Sequence, residues 1–245
     1  MLPCTHTALV AVAHGSRDPC SAATISALVD QVRWLRPDID VRLAFLDLCA
    51  PRLVDVLATV PRAVVVPLLL GRAYHAKVDV PGEVARAVAA RPYLDVVVTD
   101  VLGPDPRLEA VALRRLAEVG VSPDDPDVGV VLAAAGSQQA PSNAAVNAVA
   151  AAWAQQTRWQ VTAAFACAAR PTVPDAIATL QAAGARRIAV ASWFLAPGVL
   201  PTKVSRLAPN TTLVTAPIGA NPAVAKIIAD RYSAATRAAM ASRTA

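Results

Sequence analysis

Three residues that can bind a metal ion follow three successive predicted strands in the first half of the chain. His14 comes directly after "LVAVA", Asp47 lies two residues beyond "VRLAF", and His75 lies in the segment after "AVVVPLLL". Two imidazoles and a carboxylate suit a borderline divalent metal such as Fe²⁺, Co²⁺ or Zn²⁺. Either histidine alone has a structural explanation, His14 as a cap on a backbone group and His75 as a solvated loop residue. The case for a site therefore rests on the three residues together.

Apolar strands alternate with helical patterns through this half, which indicates a parallel sheet covered by helices on both faces. Ligands bind beyond the carboxyl ends of the strands in such sheets, so His14, Asp47 and His75 are expected at one sheet edge. Asp18 and Pro19 are typical of a helix N-cap and first turn. The predicted strands cover 9–13, 41–45, 63–70 and 95–102, and later predicted helices cover 51–60, 81–91 and 106–119.

The pattern restarts after a linker-like stretch, "GVSPDDPD" (120–127). For example, "VVLAAAGSQQAPSNAAVNAV" echoes the earlier "LVAVAHGSRDPCSAATISAL". The sequence therefore predicts two tandem, similar α/β domains, each a mostly parallel four-stranded sheet flanked by helices, with a cleft between them. The domains are expected at residues 1–122, carrying the active site, and 123–245, a degenerate repeat of the same fold.

The repeat supplies an internal comparison for the candidate site. Scaffold positions match between the two copies, whereas the residues able to do chemistry survive only in the first. Their simultaneous loss is better explained by one site that the second copy does not need. The compared pairs are His14 with Ala135, Asp47 with Cys167, His75 near Leu200, and Asp79 near Val204.

Composition narrows the class of protein. Of 245 residues, 55% are apolar and 17% charged, which is enough for a packed core. No uncharged run reaches the about 20 residues of a membrane span, and the N-terminus has no basic start of a signal peptide, so we expect a cytoplasmic protein. The basic residues are scattered, which argues against a nucleic-acid surface. The four cysteines show no CxxC spacing and are expected to be free thiols.

Four segments within the first half carry a specific resemblance. "HGSRDP", "FLDLCAP", "PLLLGRAYHAKVDVP" and "LGPDP" occur in this order. The set resembles the sirohydrochlorin chelatases, the two-lobed class II chelatases that insert Fe²⁺ or Co²⁺ into a tetrapyrrole. The resemblance implies that His14 and His75 are the metal-binding, catalytic histidines. Asp47 falls where the family often has a glutamate as third ligand, and its side chain is one methylene shorter.

The resemblance implies a lyase that inserts Fe²⁺ into sirohydrochlorin to form sirohaem, with release of two protons and without ATP. Consistently, "HGSRDP" has a single glycine and is no nucleotide-binding loop. No cofactor beyond the substrate metal, Fe²⁺ or Co²⁺, is expected. The expected partners are sirohydrochlorin and the metal ion, and a monomer is expected. Two alternatives stay open: a cobaltochelatase for cobalamin synthesis, and a non-enzymatic metal or tetrapyrrole carrier.

Four basic residues lie in or beside the three site loops. Sirohydrochlorin is a polycarboxylate, so these side chains are candidates for binding its carboxylates, with arginine able to do so in bidentate fashion. The alternative for each is ordinary solvated surface. The four residues are Arg17, Arg52, Arg72 and Lys77.

Overall fold

The computed structural model describes residues 7–71 and 79–244. The chain divides into two compact units. Unit 1 comprises Met1–Gly103 and Ala220–Ala245, and unit 2 comprises Pro104–Gly219.

Unit 1 is built on a four-stranded sheet in the order β2-β1-β3-β4, in which every strand pair runs parallel. The central strand "ALVAVA" is buried along its whole length, as expected for a strand covered on both faces. Asp18 caps the first helix, because its Oδ1 accepts a 2.9 Å hydrogen bond from Cys20 N–H, and Pro19 is the first helical residue. The elements are β1 (Ala8–Ala13), α1 (Pro19–Leu35), β2 (Val41–Phe45), α2 (Leu53–Leu57), β3 (Arg62–Pro67), α3 (Val80–Ala90), β4 (Asp95–Val98) and α8 (Pro222–Thr244).

Unit 2 repeats this topology, with the parallel order β6-β5-β7-β8. The prediction of two similar α/β units, each with a four-stranded parallel sheet flanked by helices, is therefore confirmed. The elements are α4 (Pro106–Glu118), β5 (Val128–Ala134), α5 (Ala140–Gln156), β6 (Gln160–Phe165), α6 (Val173–Ala182), β7 (Arg187–Ser192), α7 (Val199–Leu207) and β8 (Leu213–Val214).

The compact units differ from the predicted sequential division into 1–122 and 123–245, because the two repeats exchange their last helices. Helix α4 packs within unit 2, where Trp153 Nε1–H donates to Glu109 Oε2 at 3.3 Å. Helix α8 packs within unit 1 against α1 and β3, and Tyr232 O–H donates to Thr7 O at 2.6 Å. Sequence similarity divides the chain at the repeat boundary. The packing divides it differently, because each compact unit contains the last helix of the other repeat.

The second helix is shorter than predicted. The pattern indicated a helix over 51–60, but α2 covers only Leu53–Leu57. Phe45 N–H donates to Pro51 O at 2.9 Å, and Phe45 forms a parallel bridge with Arg52. Residues 51 and 52 thus extend the pairing with β2 before the helix begins. The strands β3 and β4 also end earlier than predicted, at Pro67 and Val98.

Among residues 7–71 and 79–244, none of the helices combines the length and the apolar character that a membrane span requires.

Candidate functional site

The sheet order of unit 1 contains a topological switch point. The connections from β1 and from β3 lead to strands on opposite sides of the sheet centre, so the chain reverses direction between these two strands. In doubly wound sheets, ligands bind outside the carboxyl ends of the strands at such a switch point, which for this order lies between β1 and β3. The loop after β1 begins with His14, which is exposed and lies at this position.

The loops after β1 and β2 are joined by backbone hydrogen bonds. Leu46 N–H donates to Ala13 O at 2.9 Å, and Asp47 N–H donates to His14 O, also at 2.9 Å. These bonds tie the two loops together directly beyond the ends of the paired strands. His14 and Asp47 are therefore held side by side at the carboxyl edge, and both are exposed.

Gly15 permits this close approach. Its φ is +95°, and a Cβ at this position would lie 1.8 Å from the backbone oxygen of Asp47. A side chain here would meet backbone rather than a movable side chain, so only glycine allows the two loops to pack as they do.

A thiol joins the same two loops. Ser16 N–H donates to Cys49 Sγ at 3.5 Å, and Cys49 S–H donates to Ser16 O at 3.2 Å. Ser16 Oγ accepts from Asp18 N–H at 3.1 Å, a structural role beside the start of α1. Sequence reasoning did not single out Cys49. The repeat comparison contains the signal, because Ala169 stands at the equivalent position of the second copy.

Asp47 has a basic neighbour. Arg52 Nη1 lies 3.4 Å from Asp47 Oδ1, and the two side chains are 42% and 60% exposed, respectively. An ion pair this accessible to water is weak, so the carboxylate stays available to a cation. Arg17 is exposed on the loop that carries His14. Two of the four predicted carboxylate-binding residues thus flank the His14–Asp47 pair.

The other predicted site residues, His75, Arg72 and Lys77, lie outside the described residues. Within residues 7–71 and 79–244, no cluster of three or more His, Cys, Asp or Glu side chains is placed to hold a metal ion. His14 and Asp47 are brought together, and the three-residue ligand set stays a prediction.

The equivalent loops of unit 2 have the same backbone arrangement but lack the histidine and aspartate side chains. Gly136 has φ +85°, and a Cβ there would lie 2.0 Å from Cys167 O. Cys167 N–H donates to Ala135 O at 2.9 Å, which reproduces the bond between Asp47 and His14. The scaffold is therefore duplicated, while the imidazole and the carboxylate occur in unit 1 alone among these equivalent positions.

A protein-family model matches both halves of the chain. Residues 8–119 and 129–235 match the family model described as CbiX, in two segments that flank the predicted linker. The chain belongs to the CbiX family. The resemblance to the sirohydrochlorin chelatases, inferred above from the motifs, is thereby confirmed. Individual proteins and solved structures similar to this CbiX chain are described next.

Two curated proteins are similar to this CbiX chain. The sirohydrochlorin ferrochelatase of Priestia megaterium is 25% identical over 208 residues, which cover 80% of this chain and 76% of the relative. The sirohydrochlorin cobaltochelatase of Methanopyrus kandleri is 26% identical over 136 residues, which cover 45% of this chain and 95% of the relative. The relatives thus include one protein named as a ferrochelatase and one named as a cobaltochelatase.

The fold is shared with a solved structure, SirB from Bacillus subtilis with Fe³⁺. The TM-score is 0.78 at 22% identity, and the match covers 93% of this chain and 94% of SirB. At this identity the match shows that the fold is the same across nearly the whole chain.

Proposed function

We propose that this CbiX protein is a sirohydrochlorin chelatase and that Fe²⁺ is its metal substrate. The observation that carries the proposal is the pairing of His14 with Asp47 at the carboxyl edge of the unit 1 sheet, beside the switch point that follows β1. The choice of iron rests on the relative that aligns over 80% of this chain, which is a ferrochelatase.

The reaction exchanges two pyrrole N–H protons of the macrocycle for one divalent metal ion. No electron moves, so the reaction needs no redox partner, and we propose that it needs no nucleotide. The protein must hold the cation beside the macrocycle and accept the released protons. His14 serves the first task through a ring nitrogen and is suited to the second, because imidazole changes protonation near neutral pH.

Asp47 supplies negative charge next to the imidazole. Its carboxylate offsets the charge of the incoming cation, and carboxylate with imidazole is a donor set that suits Fe²⁺ and Co²⁺. We propose His75 as the second imidazole, on the motif match alone. As the metal passes to the macrocycle, each histidine ring nitrogen that released it can accept one pyrrole proton and pass it to solvent, which has access to the exposed His14.

A direct assay tests the proposal. The protein is mixed anaerobically with Fe²⁺ and an excess of sirohydrochlorin, without nucleotide, and the visible spectrum is followed. We expect many turnovers per protein molecule and conversion of the sirohydrochlorin bands to those of sirohaem. Stoichiometric binding without turnover would refute the enzyme and support a carrier.

The same assay with Co²⁺ addresses the choice of metal. The affinity of such ligands rises from Fe²⁺ to Co²⁺, so both ions are expected to react in vitro, and availability selects between them in the cell. We expect the kcat/KM values for Fe²⁺ and Co²⁺ to lie within about tenfold of each other. A kcat/KM for Co²⁺ more than tenfold higher would instead assign the protein as a cobaltochelatase.

Replacement of Arg52 by glutamine is expected to separate metal binding from macrocycle binding. Removing a positive charge 3.4 Å from Asp47 should tighten Co²⁺ binding about threefold, on the scale of an exposed ion pair. The KM for sirohydrochlorin should rise, because Arg52 no longer pairs with a substrate carboxylate. Calorimetry with Co²⁺ alone gives the first value, and steady-state kinetics give the second.

The matched control for this prediction is Arg42→Gln. Arg42 forms a comparable surface pair with Asp40 (2.8 Å) at the opposite end of β2, away from the site. We expect this variant to keep both the Co²⁺ affinity and the KM. An Arg52→Gln protein with unchanged Co²⁺ affinity and unchanged KM would remove Arg52 from the site.

A further inference from the structure

One apolar residue beside the candidate site, Leu48, adopts a backbone conformation that is unfavourable for its residue type. Leu48 has φ +61°, in the left-handed region that glycine and asparagine enter at lower cost than a branched apolar residue. Its side chain is also among the large apolar ones exposed to solvent, with 48% of its surface accessible. Strain of this kind is retained where the surrounding structure imposes it, and it clusters at functional sites.

The fold does not require a leucine at this position. Ala168 is the equivalent residue of unit 2, and it adopts the same conformation with φ +56°. The adjacent hydrogen bonds are also the same, since Phe165 N–H donates to Pro171 O as Phe45 N–H does to Pro51 O. A methyl group therefore suffices for this loop, and the larger side chain of Leu48 has no counterpart in the repeat.

Leu48 stands next to the residues that would handle the metal. It directly follows Asp47, whose backbone is bonded to His14. Ala50 and Pro51 after it are exposed as well, so the loop presents an apolar rim, defined here as Leu48, Ala50 and Pro51. Charged side chains border the rim on both sides in the sequence, Asp47 before it and Arg52 after it.

We propose that Leu48 contacts the flat face of the tetrapyrrole and holds the macrocycle centre over His14 and Asp47. This inference rests on the proposed function. A tetrapyrrole with peripheral carboxylates has largely apolar flat faces and an anionic edge, which matches an exposed leucine followed at short range by Arg52. Contact with the macrocycle removes the exposed apolar surface of Leu48 from water, and this favours binding.

The test compares three variants by binding and by kinetics. Leu48→Asn keeps the size and tolerates the left-handed conformation but removes the apolar surface, whereas Leu48→Met keeps an apolar side chain. We expect the Kd for metal-free sirohydrochlorin and the KM to rise about tenfold in Leu48→Asn and to stay within about twofold in Leu48→Met. The Kd for Co²⁺ alone should be unchanged in both. Ala168→Asn, the same change in unit 2, should leave all values unchanged.

Several outcomes would overturn the assignment. Equal sirohydrochlorin affinity in Leu48→Asn and the parent would show that Leu48 does not contact the macrocycle, even if the parent turns over. A loss in which Co²⁺ affinity falls equally would show that the substitution disturbs the metal residues instead. If the parent binds sirohydrochlorin without turnover, the proposed activity fails while the Kd comparison still decides the role of Leu48. A parent that binds no sirohydrochlorin refutes both the proposed function and the role of Leu48.

A reserve variant covers the case in which the asparagine protein does not fold. Leu48→Gly removes the side chain and adopts the left-handed conformation freely, so it replaces Leu48→Asn in the same measurements.

Discussion

Replacing His14 by alanine is expected to lower the rate of metal insertion at least about 100-fold while leaving the fold intact. Under the proposed function the imidazole is both a ligand for the cation and a proton acceptor, so its loss would remove two contributions to metal insertion. The side chain is exposed, and the backbone oxygen of His14 accepts the hydrogen bond from Asp47 that joins the two loops. The repeat itself shows that alanine is tolerated here, because Ala135 occupies the equivalent position with the same hydrogen bond from Cys167.

The measurement combines anaerobic turnover with thermal unfolding. We expect a Tm within about 2 °C of the parent, since an exposed substitution costs little stability. Ala135→His is the matched control, because it adds an imidazole to the equivalent loop of unit 2. That loop lacks a carboxylate at the position of Asp47, so the double variant His14→Ala/Ala135→His should be as inactive as His14→Ala. A folded His14→Ala protein with parental turnover would end the assignment of the site.

Local sequence patterns predict the strands that are buried along their whole length and the helix ends that are fixed by neighbouring residues. The unbroken apolar run before His14 indicates a buried strand, and β1 covers Ala8–Ala13. Asp18 followed by Pro19 indicates a helix start, and both residues hold those positions. Each of these features depends on residues within a few positions of one another, which is the range that a sequence pattern reports.

Features that depend on distant contacts are not predictable in this way. Pairing of Phe45 with Pro51 and Arg52 shortens α2, although the local pattern continues as a helix. The exchange of α4 and α8 depends on contacts such as that of Tyr232 with Thr7, which lie 225 positions apart. A periodic apolar face indicates that a helix packs against something but does not identify its partner.

The candidate site was predictable in outline because the chain repeats itself. Loss of His14 and Asp47 in the second copy singles out a function, and the structure places both residues at one edge. The same comparison applied to every position would also have selected Leu48 and Cys49, which have only alanine as counterparts. The sequence does not show that the Leu48 side chain is exposed beside Asp47 or that the Cys49 thiol joins two loops, because both properties depend on the folded chain.

Gly15→Ala is expected to destabilise the protein by about 3 kcal/mol and to lower turnover at least about tenfold, for two reasons that add. Alanine is strained at φ +95°, and its Cβ would lie 1.8 Å from Asp47 O, so the two loops must separate. Separation breaks the bond between Asp47 and His14 and moves the candidate ligands apart. Differential scanning calorimetry should show a Tm about 10 °C lower, and turnover well below that Tm should fall at least about tenfold.

Gly136→Ala isolates the effect on the site from the effect on the fold. Gly136 has φ +85° and the same kind of clash, with Cys167 O at 2.0 Å, so a similar loss of stability is expected. Unit 2 lacks the imidazole and the carboxylate at these positions, so turnover below the lowered Tm should stay within about twofold of the parent. Equal loss of turnover in both variants would show that stability alone accounts for the effect of Gly15→Ala.

Gly184→Ala measures the cost of the left-handed backbone conformation without a clash of the added Cβ. Gly184 has φ +98°, but nothing lies within 4 Å of a Cβ at this position. The left-handed conformation alone should cost about 1 kcal/mol and lower the Tm by about 3 °C. The difference between this value and the loss in Gly15→Ala then measures the cost of pushing the Asp47 loop away from His14. Because that displacement is also what should stop metal insertion, activity across the three variants should follow the movement of this one loop and not the total loss of stability.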